Sequence, residues 1–321
     1  MTVLKDTSPE QTRVAVVVPV YNDEETLGKC LEAILLSRKN AGWDFIVVDD
    51  NSSDNSARLA EEAGFRVLRM EKNLGVSAAR NAGARRTDSD ILIFVDADIV
   101  PEPGCLEAMV NVLECRPEIQ AVGAYPRPGD LSPQWSSHFV GLRSAWGYHW
   151  KPGETERKFS SIQSECGAIR RRMFNRLGGF SERHGGVGME EFHMAHEMEE
   201  QGLGHLLIRS AAYRHHYKPL GARCCALLDR TARWVPLLMH RKKFESRGAF
   251  GTASASISCL LTFVALVFLL GSIFFAALFY GVLVSLSLQF ILELKFLNFA
   301  RRIYGWRMFL YALGALQIMH L

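Results

Sequence analysis

Val14–Val20 (VAVVVPV) and Ile91–Asp98 (ILIFVDAD) decide the fold. Each begins with an uninterrupted apolar run, which is the pattern of a strand that is buried on both faces of a sheet. Between them, further strand patterns at Phe45–Val48 and Phe65–Arg69 alternate with segments of helical periodicity. This alternation predicts an α/β domain with a mostly parallel sheet, whose ligand site lies at the carboxyl ends of the strands.

The composition is uneven along the chain. The 321 residues are 48% hydrophobic with a net charge of +3, which excludes intrinsic disorder, collagen-like repeats and a disulfide mini-protein. The length predicts two units. The seven cysteines include no C-x-x-C pair, which fits a reducing compartment and argues against a zinc or redox motif.

The C-terminal part has the pattern of a membrane segment. Ile257–Leu292 carries no charge, and because one span needs about 20 apolar residues, this run suffices for two short spans. Basic residues flank both ends, which predicts a helical hairpin with both flanks cytoplasmic. We therefore expect an α/β domain at 1–220, a basic interfacial linker at 221–256 and a membrane domain at 257–321, with the hairpin at 257–292 and the start of a third helix at 307–321. The alternative is a buried helix pair in a soluble protein.

Acidic clusters follow the second and fourth predicted strands, at Asp49–Asp54 and Asp96–Asp98. The carboxylates of Asp96 and Asp98 flank one residue, and such a pair presents oxygens to a hard divalent cation that also binds substrate phosphates. A dinucleotide site would need a glycine-rich turn after the first strand, and residues 19–25 contain no glycine. The absence of G-x-x-x-x-G-K-[ST] also excludes a P-loop NTPase.

Four segments, taken in order, resemble an inverting family 2 glycosyltransferase of the GT-A fold. They are VVVPVYNDEETLGKCLEAI (16–34), IVVDDNSSDNS (46–56), NLGVSAARNAG (73–83) and ILIFVDADIVPEP (91–103). The resemblance covers about 13–217 and implies that the 1–220 domain is catalytic, with Asp96–Asp98 as its DXD motif. It also implies a UDP- or GDP-linked sugar donor and a role in cell-envelope glycan or glycolipid biosynthesis.

The resemblance assigns donor and metal roles to individual residues. Asp50 or Asp49 would bind the nucleobase, with helix capping as the alternative role, and Ala79, Arg80 and Asn81 would line the diphosphate and ribose. The full set implied for the nucleotide is Pro19, Tyr21, Asn22, Glu24, Asp49, Asp50, Asn73, Gly75, Arg80 and Asp96. Mn²⁺ or Mg²⁺ would be held by Asp98, Asp96 and His216, with His215 as the competing choice for His216.

The family's second signature, a glycine pair followed by an acidic pair, is matched by Gly178-Gly179-Phe180 and Glu190-Glu191. The resemblance makes Glu191, which stands where the family usually has Asp, the catalytic base. Glu190 is the competing choice, because one of the two carboxylates can instead complement a helix N-terminus.

The segment Leu227–Trp234 resembles the Q-x-x-R-W motif of processive synthases, with Arg230 in place of Gln. Arg230, Arg233 and Trp234 would then contact the diphosphate or the acceptor. An interfacial helix is an equally weighted alternative.

The expected function is metal-dependent, inverting transfer of a sugar to a hydroxyl of a lipid-linked or membrane-proximal acceptor. The alternatives are a polyprenyl-phosphate glycosyltransferase, whose acceptor needs no base, and a non-catalytic sugar-nucleotide-binding membrane protein. Besides the nucleotide sugar, the expected partners are a lipid or glycan acceptor and a membrane, and not nucleic acid, because the basic residues cluster beside apolar spans. The N-terminus lacks an apolar signal, so we expect an integral protein of a bacterial inner membrane with a cytoplasmic catalytic domain.

Overall fold

The computed structural model describes residues 12–39, 42–132, 134–148, 150–158, 163–182, 200–222, 252–272 and 277–320, together with positions 194, 197, 198, 224 and 275. The chain divides into two compact units. The first comprises Met1–Tyr125 and Gly153–Tyr213, and the second comprises Pro126–Pro152 and Arg214–Leu321. This division differs from the predicted boundary at 220, because residues 126–152 group with the C-terminal helices.

The described residues form a nine-stranded mixed sheet with the order β3-β2-β1-β4-β8-β6-β9-β5, in which β7 pairs with β9. The first four strands in this order are parallel, and β8 pairs antiparallel with both β4 and β6. The strands are β1 Val14–Val20, β2 Trp43–Asp49, β3 Arg66–Arg69, β4 Ile91–Val95, β5 Ile99–Pro101, β6 Ile119–Asp130, β7 Glu156–Arg157, β8 Cys166–Arg170 and β9 Gly204–His215. The predicted α/β class is confirmed.

Helices connect the strands of the first unit, and three further described helices lie in the second unit. In the first unit they are α1 Glu24–Leu35, α2 Ser56–Glu62, α3 Val76–Arg85, α4 Cys105–Cys115 and α6 Arg171–Arg176, with a 3₁₀ turn at Leu36–Lys39. In the second unit they are α5 Trp135–Gly147, α7 Thr252–Gly271 and α8 Leu278–His320.

Strand β1 supplies side chains to both faces of the sheet. Val16 and Val18 join one apolar cluster, whereas Ala15 and Val17 join the other. This split follows from the two-residue period of a strand and explains why the run carries no polar position. On one face α3 lies very close to the sheet, because a Cβ added at Gly83 would be 2.3 Å from Val17 Cγ1.

Strand β9 corrects an expectation from the sequence. The sequence pattern predicts a short strand at His205–Ile208 with a turn after it, but the strand runs for 12 residues, and Tyr213 lies inside it, fully buried. The polar residues Arg209 and Ser210 resemble a turn in the sequence. They are instead solvent-exposed strand positions, and the Arg209 N–H donates to the Thr155 carbonyl (2.8 Å), so the strand continues.

Helices α7 and α8 form an antiparallel hairpin. Ser258 lies against Glu293, and Thr262 lies against Gln289. Helix α8 continues beyond Leu292 for a total of 43 residues and changes direction at Gly305, where φ is +77°. This change of direction falls between the predicted end of the hairpin at 292 and the predicted start of the next helix at 307. The helix continues past 292 because neither glycine nor proline occurs between Gly281 and Gly305 and because Glu293 is buried inside the unit. Of the described helices, α8 is long and apolar enough to cross a membrane.

Candidate active site

Four loops leave the carboxyl ends of the parallel strands β1 to β4 in the first unit. They comprise residues 21–23, 50–55, 70–75 and 96–98. Eight of the ten predicted donor-binding positions lie in these loops or directly next to them. Pro19 lies within β1, opposite Val48 of β2, and Arg80 lies in the second turn of α3. Tyr21 and Asn73 are exposed on these loops. Parallel strands place such loops at one edge of the sheet, which is where α/β folds bind ligands.

The loops after β1 and β2 are joined by direct hydrogen bonds. The Asn22 N–H donates to Ser52 Oγ (3.0 Å), and Asn22 Oδ1 accepts the Ser53 N–H (2.8 Å). Asn22 has a positive φ of 50°, a conformation that asparagine tolerates better than most residues. The side chain of Asn22, which we predicted at the nucleotide, therefore also holds the 50–55 loop in place.

Asp54 caps two helices at once. Its Oδ2 accepts the Glu24 N–H at the start of α1, and its Oδ1 accepts the Ser56 N–H at the start of α2, both at 3.0 Å. In return, Glu24 Oε2 accepts the N–H and the Nδ2–H of Asn55, both at 2.9 Å. Partial burial alone would raise the pKa of Asp54, but the hydrogen bonds from Ser56 and Glu24 lower that pKa below its ordinary value.

Asp50 and Asp49 hold the two turns next to them. The carboxylate of Asp50, which is only 3% exposed, accepts the N–H of Leu74 (2.9 Å) and the N–H of Gly75 (2.7 Å). Asp49 Oδ1 accepts the Ser52 N–H at 3.1 Å. Gly75 has a φ of +89°, which a side chain would strain. A carboxylate retains further lone pairs after two hydrogen bonds, so Asp50 remains able to accept a hydrogen bond from a nucleobase.

Asp96, the first acid of the Asp96-Ala97-Asp98 segment, is paired with Arg80 of α3. Arg80 is buried, and its Nη2 lies 2.6 Å and 2.9 Å from the two carboxylate oxygens of Asp96. Burial raises the pKa of Asp96 to about 6; Arg80 opposes this shift, while Asp98 and Glu165 add to it. The Arg80 guanidinium, which we predicted beside the diphosphate, therefore pairs with Asp96 of the 96–98 loop.

Glu165 belongs to this region although the sequence analysis did not identify it. It lies opposite Asp96, because β8 pairs antiparallel with β4 in the register Val95↔Cys166. The Glu165 carbonyl accepts the Asp96 N–H (2.9 Å), and the Glu165 carboxylate accepts the hydroxyl of the buried Tyr213. No signal along the chain identifies this residue, because its place depends on the register of two distant strands.

Asn81 does not have the role that we predicted for it at the diphosphate. Its Nδ2 donates to the Phe180 carbonyl and to Glu182 Oε1, both at 2.8 Å, and its Oδ1 accepts the Phe180 N–H at 2.9 Å. These contacts use both hydrogens of the amide. Asn81 therefore binds the loop that contains Gly179 and Phe180, rather than presenting donors to a phosphate.

We call the loops that carry Asp49, Asp50, Asp96 and Asp98 the acidic edge. Carboxylate oxygens such as those of Asp96 and Asp98 are the ligands that a hard divalent cation takes when substrate phosphates complete its coordination. Asp98 is half-buried beside Asp96, whose carboxylate is oriented by Arg80. One or two carboxylates are the usual protein contribution to such a cation. Among the described residues, no group of three or more His, Cys, Asp and Glu side chains is arranged to hold a metal ion.

Several predicted site residues cannot be placed. Glu190 and Glu191 lie outside the described residues, and so do Arg230, Arg233 and Trp234. His216 lies directly after β9, in the second unit, and is half-buried. The catalytic and acceptor roles of these residues stay predictions.

Residues 15–178 match the family model of glycosyl transferase family 2. The chain belongs to glycosyl transferase family 2. The match includes every loop of the acidic edge described above and ends at Gly178, at the start of the loop that Asn81 holds. The family resemblance of the four sequence segments is thereby confirmed.

Curated relatives of this glycosyltransferase match it over shorter segments. The undecaprenyl-phosphate 4-deoxy-4-formamido-L-arabinose transferase of Proteus mirabilis is 37% identical over 110 residues, which are 32% of this chain and 34% of that protein. The glycosyltransferase GlyA of Streptococcus pneumoniae is 34% identical over 134 residues, which are 40% of this chain and 19% of that protein. The matched part of the chain thus spans about a third or less of the length of these two relatives.

A solved structure similar to this chain is the mannosyltransferase PcManGT of Pyrobaculum calidifontis, which was determined in complex with GDP-Man and Mn²⁺. The TM-score is 0.55 at 18% sequence identity, and the alignment covers 97% of this chain and 88% of that one. At this identity the similarity supports the GT-A fold.

Proposed function

We propose that this family 2 glycosyltransferase moves a sugar from a nucleotide-diphosphate sugar to a lipid-linked acceptor. The observation that carries the proposal is the acidic edge, where Asp50, Asp96 and Asp98 follow two strands, β2 and β4, that both pair with β1. The hydrogen bonds of Asp50 to the N–H groups of Leu74 and Gly75 and of Asp96 to Arg80 hold these loops in place. Such preorganisation lowers the cost of binding a charged donor.

The donor would lie across the loops, with the nucleobase toward Asp50 and the diphosphate toward Asp98. Mn²⁺ or Mg²⁺, held by Asp98 with Asp96 nearby, would neutralise charge on the departing diphosphate. Two residues hold the 96–98 loop. Arg80 offsets the charge of Asp96, and the Glu165 carbonyl accepts the Asp96 N–H. His216 remains a proposed further ligand.

The acceptor that we favour is a polyprenyl phosphate, because the relative from Proteus mirabilis is an undecaprenyl-phosphate 4-deoxy-4-formamido-L-arabinose transferase. A phosphate monoester is already a nucleophile and needs no general base. The acidic pair Glu190–Glu191 in the sequence favours a second candidate, a hydroxyl acceptor whose proton Glu191 would remove during attack on the anomeric carbon.

We further propose that the C-terminal helices hold the enzyme in a bacterial inner membrane with the acidic edge in the cytoplasm. Helix α8 is long and apolar enough to span, and α7 adds a shorter apolar helix at Ile257–Gly271. Large apolar side chains such as Phe263, Ile291 and Leu310 are more than half exposed on these helices. In a lipid bilayer these side chains would contact hydrocarbon instead of water, which removes the free-energy cost of hydrating them.

A donor and acceptor screen tests the proposal. The full chain in detergent micelles is incubated with UDP- and GDP-linked sugars, Mn²⁺ and either undecaprenyl phosphate or a lipid that bears a free hydroxyl, and nucleotide diphosphate release is measured. We expect release that depends on one donor, on Mn²⁺ and on the acceptor. Binding of UDP or GDP without any release, under all donors and with either acceptor class, would instead support the non-catalytic binding protein.

The variant Glu191→Gln separates the two acceptors. If the acceptor is a phosphate, the variant should keep turnover within about twofold of the wild type, because no proton has to be removed. If it is a hydroxyl, loss of the base should lower kcat by about 10²- to 10⁴-fold. Glu190→Gln, measured in parallel, shows which carboxylate of the pair acts.

A further inference from the structure

The contact between α3 and the 178–182 loop joins two parts of the site that are far apart in the sequence. Asn81 and Phe180 are separated by 99 positions. The amide of Asn81 pairs with both backbone groups of Phe180, accepting its N–H at 2.9 Å and donating to its carbonyl at 2.8 Å. This two-point contact copies the pairing of neighbouring strands and fixes the backbone in position as well as in orientation.

The loop is built to accept that contact. Gly179 has a φ of +79°, and a Cβ there would lie 2.7 Å from Asn81 Oδ1, so a side chain would disrupt both the turn and the hydrogen bond. The ring of Phe180 is buried between Phe94 (centroids 5.0 Å apart) and Phe174 (5.5 Å). Asn81 itself is only 5% exposed.

The residue before Asn81 contacts the other side of the site. Arg80 binds both carboxylate oxygens of Asp96, and its guanidinium carbon lies 5.4 Å from the centroid of the Phe180 ring. Arg80 and Asn81, which are consecutive residues of α3, therefore hold the 96–98 loop and the 178–182 loop, respectively. Eight residues after Glu182, the chain reaches the acidic pair Glu190–Glu191.

We propose that Asn81 is a positioning residue for the acceptor side of the reaction, which sets the location of the 178–182 loop relative to the Asp96–Asp98 turn. This inference rests on the proposed transferase function. Asn81 acts through the loop and does not contact the donor, because its amide hydrogens are already used. A displacement of about 1 Å between reacting groups is enough to lower a rate about 10²-fold.

The variant Asn81→Asp tests the proposal. An aspartate keeps the acceptor for the Phe180 N–H, loses the donor to the Phe180 carbonyl and places a second charge next to Glu182. We expect kcat for nucleotide diphosphate release to fall about 10- to 100-fold, while the Kd for UDP or GDP with Mn²⁺ changes less than about twofold. The matched control is Asn111→Asp on the exposed face of α4, which should match the wild type in both measurements.

A second substitution makes the test independent of a general loss of folding. Glu182 is exposed, so Glu182→Gln should fold normally, and in the double variant Asn81→Asp/Glu182→Gln the introduced glutamine amide can donate to the introduced carboxylate. We expect the double variant to regain about three- to tenfold in kcat over Asn81→Asp alone. The carboxylate in Asn81→Asp can still accept the Phe180 N–H, but it repels the Phe180 carbonyl and Glu182, so the contact should open more often. Amide hydrogen exchange of Phe180 should therefore accelerate in Asn81→Asp and slow again in the double variant.

Three results would overturn the inference. The first is a loss of nucleotide affinity that parallels the loss of kcat, which would place Asn81 at the donor. The second is a wild-type kcat despite accelerated exchange at Phe180, and the third is unchanged exchange. Failure of the proposed function is seen separately, because the wild-type chain would then show no release with any donor, while the exchange measurement would still report on the contact.

Discussion

The first unit places its buried charged groups at one edge of an apolar core, whereas the second unit places polar groups inside a helical assembly with an apolar outer surface. In the first unit Asp49 and Asp50 are buried at the end of β2 and Arg80 is buried in α3 beside Asp96, and the strand interiors are apolar. In the second unit Ser258, Gln289 and Glu293 are buried between α7 and α8.

The outer surface of the second unit has the opposite composition. Phe263 is 62% exposed, Ile291 is 63% exposed and Leu310 is 66% exposed. A water-soluble helix buries such residues and exposes polar ones. The arrangement suits helices in lipid, where polar side chains pair with one another between helices.

The ion pairs of Glu293 in the second unit are longer than the contacts of Arg80 and Asp50 in the first, although the Gln289 amide nitrogen lies 2.9 Å from Thr262 Oγ1. In the first unit Arg80 meets Asp96 at 2.6 Å, and Asp50 meets the Gly75 N–H at 2.7 Å. In the second unit Arg143 lies 3.6 Å from Glu293, and His320 Nε2 lies 3.9 Å from Glu293 Oε1. Asp50 and Asp96 follow strand ends at one edge of the sheet, whereas Glu293 lies between helices. We therefore expect the first set to serve a ligand and the second to serve helix association.

The largest expected effect that tests this distinction comes from Asp98→Ala. We expect transfer to fall by at least about 10²- to 10³-fold, as for other losses of groups that stabilise charge in a transition state. The free energy of unfolding should change by less than about 0.5 kcal/mol, because Asp98 is not a core side chain. Nucleotide diphosphate release and denaturant unfolding measure the two quantities. Glu32→Ala on the exposed face of α1 is the control, and wild-type turnover in Asp98→Ala would contradict the assignment.

Glu293→Ala is the converse test in the second unit. It removes the partner of Arg143 and the acceptor of the Ser258 hydroxyl, and unpaired buried polar groups cost about 1–3 kcal/mol each. We expect a lower thermal midpoint in detergent micelles with an unchanged Kd for UDP or GDP. Ile291→Ala, on the exposed face of the same helix, should shift the midpoint much less. Equal shifts in the two variants would mean that the buried polar contacts do not stabilise the hairpin.

Asp54→Asn has the smallest expected effect and tests whether the loops at the edge also contribute to stability. Loss of a helix cap costs about 0.5–2 kcal/mol at pH 7. Because folding lowers the pKa of Asp54 below its ordinary value of 3.8, the carboxylate stabilises the fold above that pH. This contribution is lost as the pH falls through the folded pKa. Denaturant unfolding at pH 7 and at about pH 3 should therefore show a difference between variant and wild type that shrinks in acid. The control is Asp88→Asn, which breaks an exposed ion pair with Arg13 and should lower the free energy of unfolding by less than about 1 kcal/mol. If the difference in unfolding free energy between Asp54→Asn and the wild type did not depend on pH, the capping role of Asp54 would be contradicted.

Much of the first unit could be predicted from local patterns. β1 coincides with the predicted run Val14–Val20, and β4 coincides with the apolar part of Ile91–Asp98. β3 begins one residue after the predicted start at Phe65, because the apolar pattern of a strand locates it along the chain to within a residue or two. The acidic loops after β2 and β4 also followed from the sequence, since parallel strands place their carboxyl ends at one edge. The long strand β9 was missed because Arg209 and Ser210 are exposed strand positions that resemble a turn.

The sequence by itself determined the α/β class, the glycosyltransferase family and the acidic residues at the strand ends, since each depends on residues close together in the chain. The tertiary structure decided which of those residues contact one another. Asn81 binds Phe180 instead of a phosphate, Arg80 binds Asp96, and Glu165 lies opposite that same acid. These contacts join residues 16 to 99 positions apart, or depend on an antiparallel register, and neither periodicity nor composition specifies such pairings.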